Sequence, residues 1–454
     1  IIVGCGKVGT TLVEQLSREG HDITVIDRNR ELVEHISGTY DVMGVVGNGA
    51  SYSIQKEAGI ENTDLIIAVT ESDELNLLCC TVAKRVAGCA AIARVRTPDY
   101  SQDVSYLQER LGLAMIFNPE LECAREAARM LSLPTALEIA SFAHGQAELV
   151  TFKIPKNNKL DGMKLWDMSK TIPADIERSV VICAVERGDE VHIPSGNFQL
   201  QCGDEVSFVS TRKIARKFLR SIGFKTRQVR STMIIGGGRS SYYLAQELLA
   251  MGIEVKIIEK RRSRCEELCE LLPDASIING DGTSEELLRE EGIEYAESVV
   301  ALTGIDEENI LLTLHARNVS NAKVITKINR INFRNAINTL DLGSVLYPRY
   351  ITSEAIVAYV RAKHNSMNSN VETLNYICEN QVEAVEFRVN EASEVTGTML
   401  KDLKPKMKKD ILIASINRNG RILIPSGVDT IEVGDTVMVV TTHSGFNDIR
   451  DILA

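Results

Sequence analysis

No apolar run in this chain approaches the ~18–20 residues needed to cross a bilayer, and no signal peptide is visible. No Cys-x-x-Cys pair occurs among its ten cysteines: Cys79 and Cys80 are adjacent, and Cys265 and Cys269 are four apart. Several sit in apolar settings such as Val181-Ile182-Cys183-Ala184-Val185, which suits reduced, mostly buried thiols in a cytosolic protein. The seven histidines lack ligand spacing, so no metal site is expected. No Ser/His/Asp or Cys/His arrangement stands out, so no catalytic residue is assigned. Positive charge is short as well: 51 basic against 62 acidic residues leave a formal net charge of -11. That balance argues against nucleic acid or an anionic membrane surface as a broad electrostatic partner. The local exception is Arg212, Lys213, Arg216, Lys217, Arg220, Lys225, Arg227 and Arg230, spaced for the wet face of a connecting helix. The chain opens at Ile1-Ile2-Val3, inside an apparent strand and without a methionine; a few residues trimmed or unseen are expected before it.

What is present is a second copy of the chain's own first half. Gly4-Cys5-Gly6-Lys7-Val8-Gly9 returns as Gly236-Gly237-Gly238-Arg239-Ser240-Ser241, and Asp27 as Glu259, both at an offset of 232. Gly47-Asn48-Gly49 returns as Gly280-Asp281-Gly282 at 233. Thr70 returns as Thr303, and Asp73-Glu74-Leu75-Asn76 as Asp306-Glu307-Glu308-Asn309, again at 233. Pro194-Ser195-Gly196 and Gly203-Asp204 recur at 231 as Pro425-Ser426-Gly427 and Gly434-Asp435. A length of 454 residues allows about three domains by size alone. The repeat specifies four lobes in the order A-B-A′-B′.

Short apolar strands alternate with helical patterns from Ile1 to Leu131, as parallel sheets covered on both faces do. From about residue 136 the pattern changes to strands at 148–154, 180–186 and 205–210, with a helix near Met163–Met168 and punctuating turns. The expected fold class is therefore α/β: two Rossmann-like, doubly wound parallel-sheet lobes, each followed by a small α+β lobe. The boundaries fall near 1–135, 136–220, 228–360 and 370–454.

Each fingerprint residue has a physical task. Gly4 permits a tight strand-to-helix turn, Gly6 lets the backbone approach a pyrophosphate, and Gly9 allows close helix-to-strand packing. The helix N-terminus then offers unpaired N–H groups to phosphate. Asp27 closes the second strand, where an acid accepts hydrogen bonds from an adenosine ribose and favours NAD over NADP. Asn48 sits where an adenine edge would lie, and Thr70 and Glu71 border the ribose and phosphates. Arg94, with Arg96 as a second candidate, ends the fifth strand and could meet a phosphate; a surface ion pair is an equal alternative. In the second copy, Asp281 stands at the place of Asn48 and Lys327 at that of Arg94. Ser241 replaces the third glycine, leaving that pocket's occupancy open.

A dehydrogenase presents a proton donor or acceptor over the nicotinamide from another domain. The B lobes offer only His192 among their strands, with Leu423 at its repeat position. Duplicated cofactor grooves without a catalytic lobe suit a protein in which nucleotide binding is the signal. An NAD-dependent oxidoreductase and a ligand-free assembly scaffold are the competing readings.

The ordered set of fingerprint, Val-Ile-Asp, Gly-Asn-Gly-Ala-Ser, Ala-Val-Thr-Glu-Ser-Asp-Glu-Leu-Asn and Ala-Arg-Val-Arg resembles the N-terminal lobe of RCK (KTN) proteins. The lobe with Pro-Ser-Gly and Gly-Asp resembles their C-terminal ligand lobe. Two copies in one chain are similar to the peripheral regulatory subunits of Trk potassium uptake systems. The resemblance implies a cytosolic, non-catalytic subunit, peripheral to the inner face of the plasma membrane, that binds NAD(H) or ATP/ADP. It implies a membrane potassium-translocating partner (TrkH/TrkG-like). Eight-lobed rings are common in the family, so two RCK units per chain imply a homotetramer. The family's nucleotide contacts fall on Gly4, Cys5, Gly6, Lys7, Val8, Asp27, Thr70, Glu71 and Arg94. In the second copy they fall on Gly236, Gly237, Gly238, Arg239, Ser240, Glu259 and Thr303.

Overall fold

The computed structural model describes residues 1–98, 100, 103–188, 190–224, 226–329, 340, 342–364, 370–378 and 381–454. Each half opens with a six-stranded parallel sheet. The first contains β1 (Ile2–Val3), β2 (Thr24–Asp27), β3 (Met43–Val46), β4 (Leu65–Ala68), β5 (Ala90–Arg94) and β6 (Met115–Phe117), in the order β3-β2-β1-β4-β5-β6. Alternate residues of these short apolar strands face opposite layers. Ile2, Val25, Ile67 and Ile92 join one core, and Val3, Ile26, Ile66 and Ala91 the other. Burial on both faces is why the strands read as continuous apolar runs.

Before the second parallel sheet comes an antiparallel one: β7 (Glu138–Phe142), β8 (Ala147–Lys153), β9 (Val181–Arg187), β10 (Glu190–His192) and β11 (Glu205–Ser210), ordered β10-β9-β11-β8-β7. The pattern of parallel strands then returns as β12 (Ser231–Ile235), β13 (Glu254–Glu259), β14 (Ser276–Asn279), β15 (Ser298–Ala301), β16 (Lys323–Lys327) and β17 (Ser344–Leu346), ordered β14-β13-β12-β15-β16-β17. The last sheet holds β18 (Val371–Ile377), β19 (Val382–Arg388), β20 (Ile411–Arg418), β21 (Arg421–Leu423) and β22 (Thr436–Thr441), ordered β18-β19-β22-β20-β21. The architecture is α/β, with Rossmann-like sheets alternating with smaller antiparallel lobes. The sequence pattern found β8, β9 and β11 but missed β7 and β10, which are edge strands paired on one side and carry weak alternation. The segment expected as a helix near Met163–Met168 is a 3₁₀ helix over Leu165–Lys170, followed by a short α-helix, Ala174–Glu177.

Two long helices interlock the halves, a feature no local periodicity reveals. Helix Pro119–Ser132 leaves the first parallel sheet with Asn118 capping it, the side chain accepting from the Leu121 N–H. Its small, apolar face (Cys123, Ala124, Ala127, Leu131) buries against Tyr242, Leu244 and Ile257 of the second parallel lobe. Helix Pro348–His364 does the reverse, packing Ile356, Val357 and Val360 with Ile2, Leu12 and Leu16 of the first. That same core continues into Leu374, Val385, Phe387 and Val439 of the last sheet. The two antiparallel sheets meet through Ala140, Phe142, Leu149 and Cys183 on one side and Ile377, Ala384, Met438 and Val440 on the other. Glu386 accepts the Ala143 N–H across this joint at 2.8 Å.

The interlock is not symmetric. Arg361, 2% exposed, donates to Glu19 at 2.5 Å and to Glu383 at 2.9 Å, clamping the first parallel lobe, its crossing helix and the last sheet. At the repeat position stands Ser132, whose carbonyl accepts from Arg216 at 3.2 Å. The first five residues of the basic run, Arg212 to Arg220, lie on helix Arg212–Ser221, which buries Ala215, Phe218 and Leu219 and exposes Lys213 and Lys217, whereas Arg227 and Arg230 follow it outside any helix. Arg212, itself exposed, pairs with Glu148 at 3.6 Å; Lys225 falls outside the described residues. Among the described residues, no helix is long and apolar enough to cross a membrane.

Candidate functional site

Strand order reverses beside β1 and β12, and each reversal opens a crevice at the carboxyl ends of the strands. In the first crevice Gly4 adopts φ +106°, and an added Cβ would meet the Thr70 nitrogen at 2.9 Å. A Cβ on Gly9 would stand 1.9 Å from the Gly4 carbonyl oxygen, so only glycine lets the helix approach the strand this closely. Gly6 differs: a Cβ there meets nothing within 4 Å. That open side is where a ligand approaches. Gly6 caps helix Lys7–Arg18, which has no side-chain cap and no acid in its first turn. The N–H groups of that turn are therefore unclaimed by the chain's own side chains. Lys7 is exposed at this end and Val8 half-buried.

Asp27 ends β2 beneath the fingerprint. Its Oδ2 accepts the Cys5 N–H at 2.7 Å and its Oδ1 the Asn29 N–H at 2.9 Å. Each carboxylate oxygen has a second lone pair, so a ribose hydroxyl can still be accepted. Burial, reinforced by the Asp27 charge, pushes the Cys5 thiol up to about 12. Asn48 Oδ1 accepts the Ala50 N–H at 3.2 Å and shapes the loop after β3. Glu71 lies exposed at the lip.

A buried asparagine organises the far wall. Asn76 Oδ1 accepts from the Thr70 N–H at 2.8 Å and the Thr70 hydroxyl at 2.7 Å, while Nδ2 donates to the Arg94 carbonyl at 2.9 Å. Asn309 repeats this, with Thr303 N–H at 2.9 Å and the Lys327 carbonyl at 2.9 Å. Asp73 takes the N–H groups of Arg96 and Thr97 at 2.9 and 2.8 Å, and Asp306 takes that of Asn329 at 2.9 Å. The repeated Asp-Glu-x-Asn is thus a brace that ties the ends of adjacent strands. Its recurrence was visible in the sequence; its role was not.

Arg94 is not aimed at open solvent. It is 9% exposed and its guanidinium donates to the Thr70 carbonyl. Burial, with the Arg96 charge beside it, lowers it to about 10. Arg96 donates to the Glu71 carbonyl and pairs with Asp73 at 3.8 Å and Glu120 at 3.9 Å. Arg96 thus sits in a partly buried ion network, and Arg94 is held by a backbone carbonyl. Lys327, at the matching place, donates to the Leu302 carbonyl at 3.1 Å and is lowered by burial.

The second crevice has the same frame with a different interior. Gly236 has φ +99°, and a Cβ on Gly238 meets nothing within 4 Å; Arg239 and Ser240 open the helix that follows. Ser241, at the third glycine's place, donates to the Gly236 carbonyl at 2.5 Å, so the substitution is absorbed as a hydrogen bond beneath the groove. Glu259 accepts the Gly237 N–H and the Arg261 N–H, both at 2.8 Å, and the Arg261 side chain at 3.2 Å. Burial alone would raise its carboxyl, but these donors outweigh burial and hold it below the ordinary value. Arg264 donates to the Gly237 carbonyl at 2.7 Å, where the first copy has the half-exposed Leu32 (264 − 232 = 32). Lys260 bridges Asp281 at 2.6 Å. Thr303 lines the wall braced by Asn309. The second fingerprint thus carries side-chain contacts of its own that spacing along the sequence does not reveal.

The grooves are joined. Tyr243, on the second fingerprint helix, accepts from Asn118 Nδ2 at 2.9 Å and donates to the Arg96 carbonyl at 3.1 Å. Glu120 lies among Arg96 and Arg94 from the first lobe and Arg239 from the second; burial raises its carboxyl and the three cations oppose that.

Comparison with known proteins agrees with this geometry. Residues 1–119 and 232–348 match the TrkA-N domain family, and 149–223 and 384–454 the TrkA-C domain family. The Trk system potassium uptake protein TrkA homolog of Archaeoglobus fulgidus is 32% identical over 100% of this chain and 99% of its own. The Trk system potassium uptake protein TrkA of Halomonas elongata is 30% identical over 100% of this chain and 97% of its own. Among solved structures, the GsuK RCK domain superposes with a TM-score of 0.62 at 18% identity, covering 97% of this chain and 91% of that one. The GsuK channel bound to NAD gives 0.63 at 18%, covering 97% and 76%. The likeness to GsuK concerns the fold. With two TrkA-N and two TrkA-C matches in alternation and relatives aligned end to end, the chain belongs to the TrkA family of Trk-system potassium uptake proteins.

Proposed function

We propose that this chain is a cytosolic regulatory subunit whose two parallel-sheet lobes bind adenine nucleotide, NAD(H) with ATP/ADP as the alternative, and whose occupancy gates a membrane potassium-translocating partner. The carrying observation is the linkage of the grooves: Tyr243 joins the second fingerprint helix to Asn118 and Arg96 at the strand ends of the first lobe. A ligand that fits one relative placement of the lobes better than another shifts the population by its affinity difference and no more. In the first groove, phosphates lie over Gly4–Val8, the ribose on Asp27, and Asn48, Thr70 and Glu71 border the base and sugar. Arg94 acts here by holding the Thr70 carbonyl. In the second groove, Gly236–Ser240, Glu259, Asp281 and Thr303 take the same places, and a ligand must displace Arg264 or use it as a phosphate partner.

No residue in either groove is assigned a catalytic role, and nucleotide binding without turnover is the proposed activity. The lobes run 1–135, 136–220, 228–360 and 370–454, and four chains would close an eight-lobed ring against the cytoplasmic side of the partner. Calorimetry with NAD(H), ATP and ADP tests this. Two classes of sites are expected, the first groove tighter because Glu259 and Arg264 must rearrange in the second. Absence of binding to folded protein, or steady oxidation or reduction of a metabolite followed at 340 nm, would overturn it.

A further inference from the structure

A cleft of about 1150 Å³ is lined by residues from both halves and by none of the fingerprint residues. Its walls are the two crossing helices, the edge strands β7 and β18, and the end of β17. Seven glutamates line it, among them Glu126 from helix Pro119–Ser132, Glu354 from helix Pro348–His364, and Glu138 from β7. None of the three side chains makes a hydrogen bond or ion pair among the described residues. They are electrostatically linked: Glu126 acts on Glu138, and both act on Glu354.

The carboxylates come from both interlocked halves. Helix Pro348–His364 is cored with the first parallel lobe, and helix Pro119–Ser132 with the second. We propose that this cleft is a proton-responsive hinge: ionised Glu126, Glu138 and Glu354 repel across it and hold it wide, and their protonation lets it narrow, carrying the two parallel lobes with it.

The surrounding charges do not neutralise the cluster. On Glu126's own helix, Glu122 adds repulsion, Arg129 attracts, and Arg125 is committed to Glu122 at 2.8 Å and Glu247 at 3.6 Å. Beyond Glu138, Glu186 and Glu205 add repulsion, and Lys153 is committed to Glu205 at 3.0 Å. The β18 side brings Glu372, the Tyr376 phenol and the Cys378 thiol, and the last two are raised by burial. Tyr347, Tyr350 and Tyr359 complete the wall; burial raises Tyr359. Near the β17 end, Lys323 donates to Ser344 at 2.8 Å and to the Ala136 carbonyl, and burial lowers it to about 7.

Removal from bulk solvent pushes Glu126 up to about 7, against the pull of Arg129 and with a smaller push from Glu122, and Glu138 up to about 8, with Glu126, Glu186 and Glu205 adding to it. Glu354 moves the same way for the same reasons. Carboxyls raised in the folded chain bind protons that the unfolded chain has lost. Their contribution is therefore present at low pH and lost as pH rises through these values. Lys323 has the opposite slope, since a depressed amine adds stability as pH rises, so the test compares proteins at each pH.

The full chain and its E126Q/E138Q/E354Q variant are melted, and measured by small-angle X-ray scattering, at pH ~6 and ~8.5. Wild type is expected to fall several degrees below the variant at the higher pH, with a clearly smaller gap at the lower. Its radius of gyration should grow with pH while the variant's stays at the low-pH value. A melting difference independent of pH, or identical scattering of the two proteins at the higher pH, overturns the proposal. If the triple variant does not fold, Glu354→Gln alone carries the same comparison with a smaller difference. The measurements use protein without nucleotide, so their outcome is separate from that of ligand binding.

Discussion

Gly6 and Gly9 are three residues apart and are both glycine for different reasons. Gly9→Ala drives a Cβ into the Gly4 carbonyl, and overpacking of that kind costs about 1–3 kcal/mol, readable by urea unfolding. Gly6→Ala meets open space and should cost less than about 1 kcal/mol as a helix-cap change, yet it fills the side from which phosphate approaches. Calorimetry should therefore show lost affinity with nearly normal stability. Asp27→Ala removes an acceptor that organises the Cys5 and Asn29 N–H groups. Hydrogen bonds to a charged group contribute about 1.5–3 kcal/mol, so affinity at the first groove should fall at least about tenfold. The acid was legible from its distance to the fingerprint. The committed geometry of Arg94 was not, because a strand-end arginine can turn outward to solvent or inward to a carbonyl, and only the packing around it decides.

Among the elements, the crossing helices determine how the halves communicate. Arg361 is the point where three elements meet, and its two carboxylate partners, Glu19 and Glu383, are 17% and 4% exposed. Arg361→Ala leaves both acids without their cation, and breaking a buried pair costs about 3–5 kcal/mol, measurable as a lower urea midpoint. Arg216→Ala, on the opposite side, removes one bond to the Ser132 carbonyl from a solvated helix and should cost no more than about 1 kcal/mol. The strand–helix alternation of the parallel lobes could be read from apolar runs, because burial on both faces leaves few alternatives. Strands β7 and β10 could not, since one-sided pairing demands little of their composition. Asn76 and Asn309 were conspicuous only as repeated letters; both are fully buried, where an unpaired amide would be costly, and so they brace the strand ends.

For the whole molecule, ligand binding to the native state adds RT ln(1 + [L]/Kd), about 2.7 kcal/mol at a hundredfold excess over Kd. NAD(H) or ATP should therefore raise the melting temperature of the intact chain, and Asp27→Ala should lose most of that increment. A scaffold with vacated grooves would show no increment in either protein. The lobes are cored across halves, since the first parallel sheet shares its interior with the last antiparallel sheet. One cooperative transition is expected for that unit, in place of four independent ones.

From the sequence alone came the duplication, the α/β class, the fingerprint positions and the family. Each rests on local chemistry repeated in register: glycines where a side chain cannot fit, an acid at a strand end, and apolar runs at strand length. Tertiary structure alone decided which helix serves which lobe, that Arg264 bonds the second fingerprint at Gly237, and that Glu126, Glu138 and Glu354 line one cleft. Those facts depend on contacts between residues up to hundreds of positions apart, and sequence periodicity carries information only about neighbours along one element.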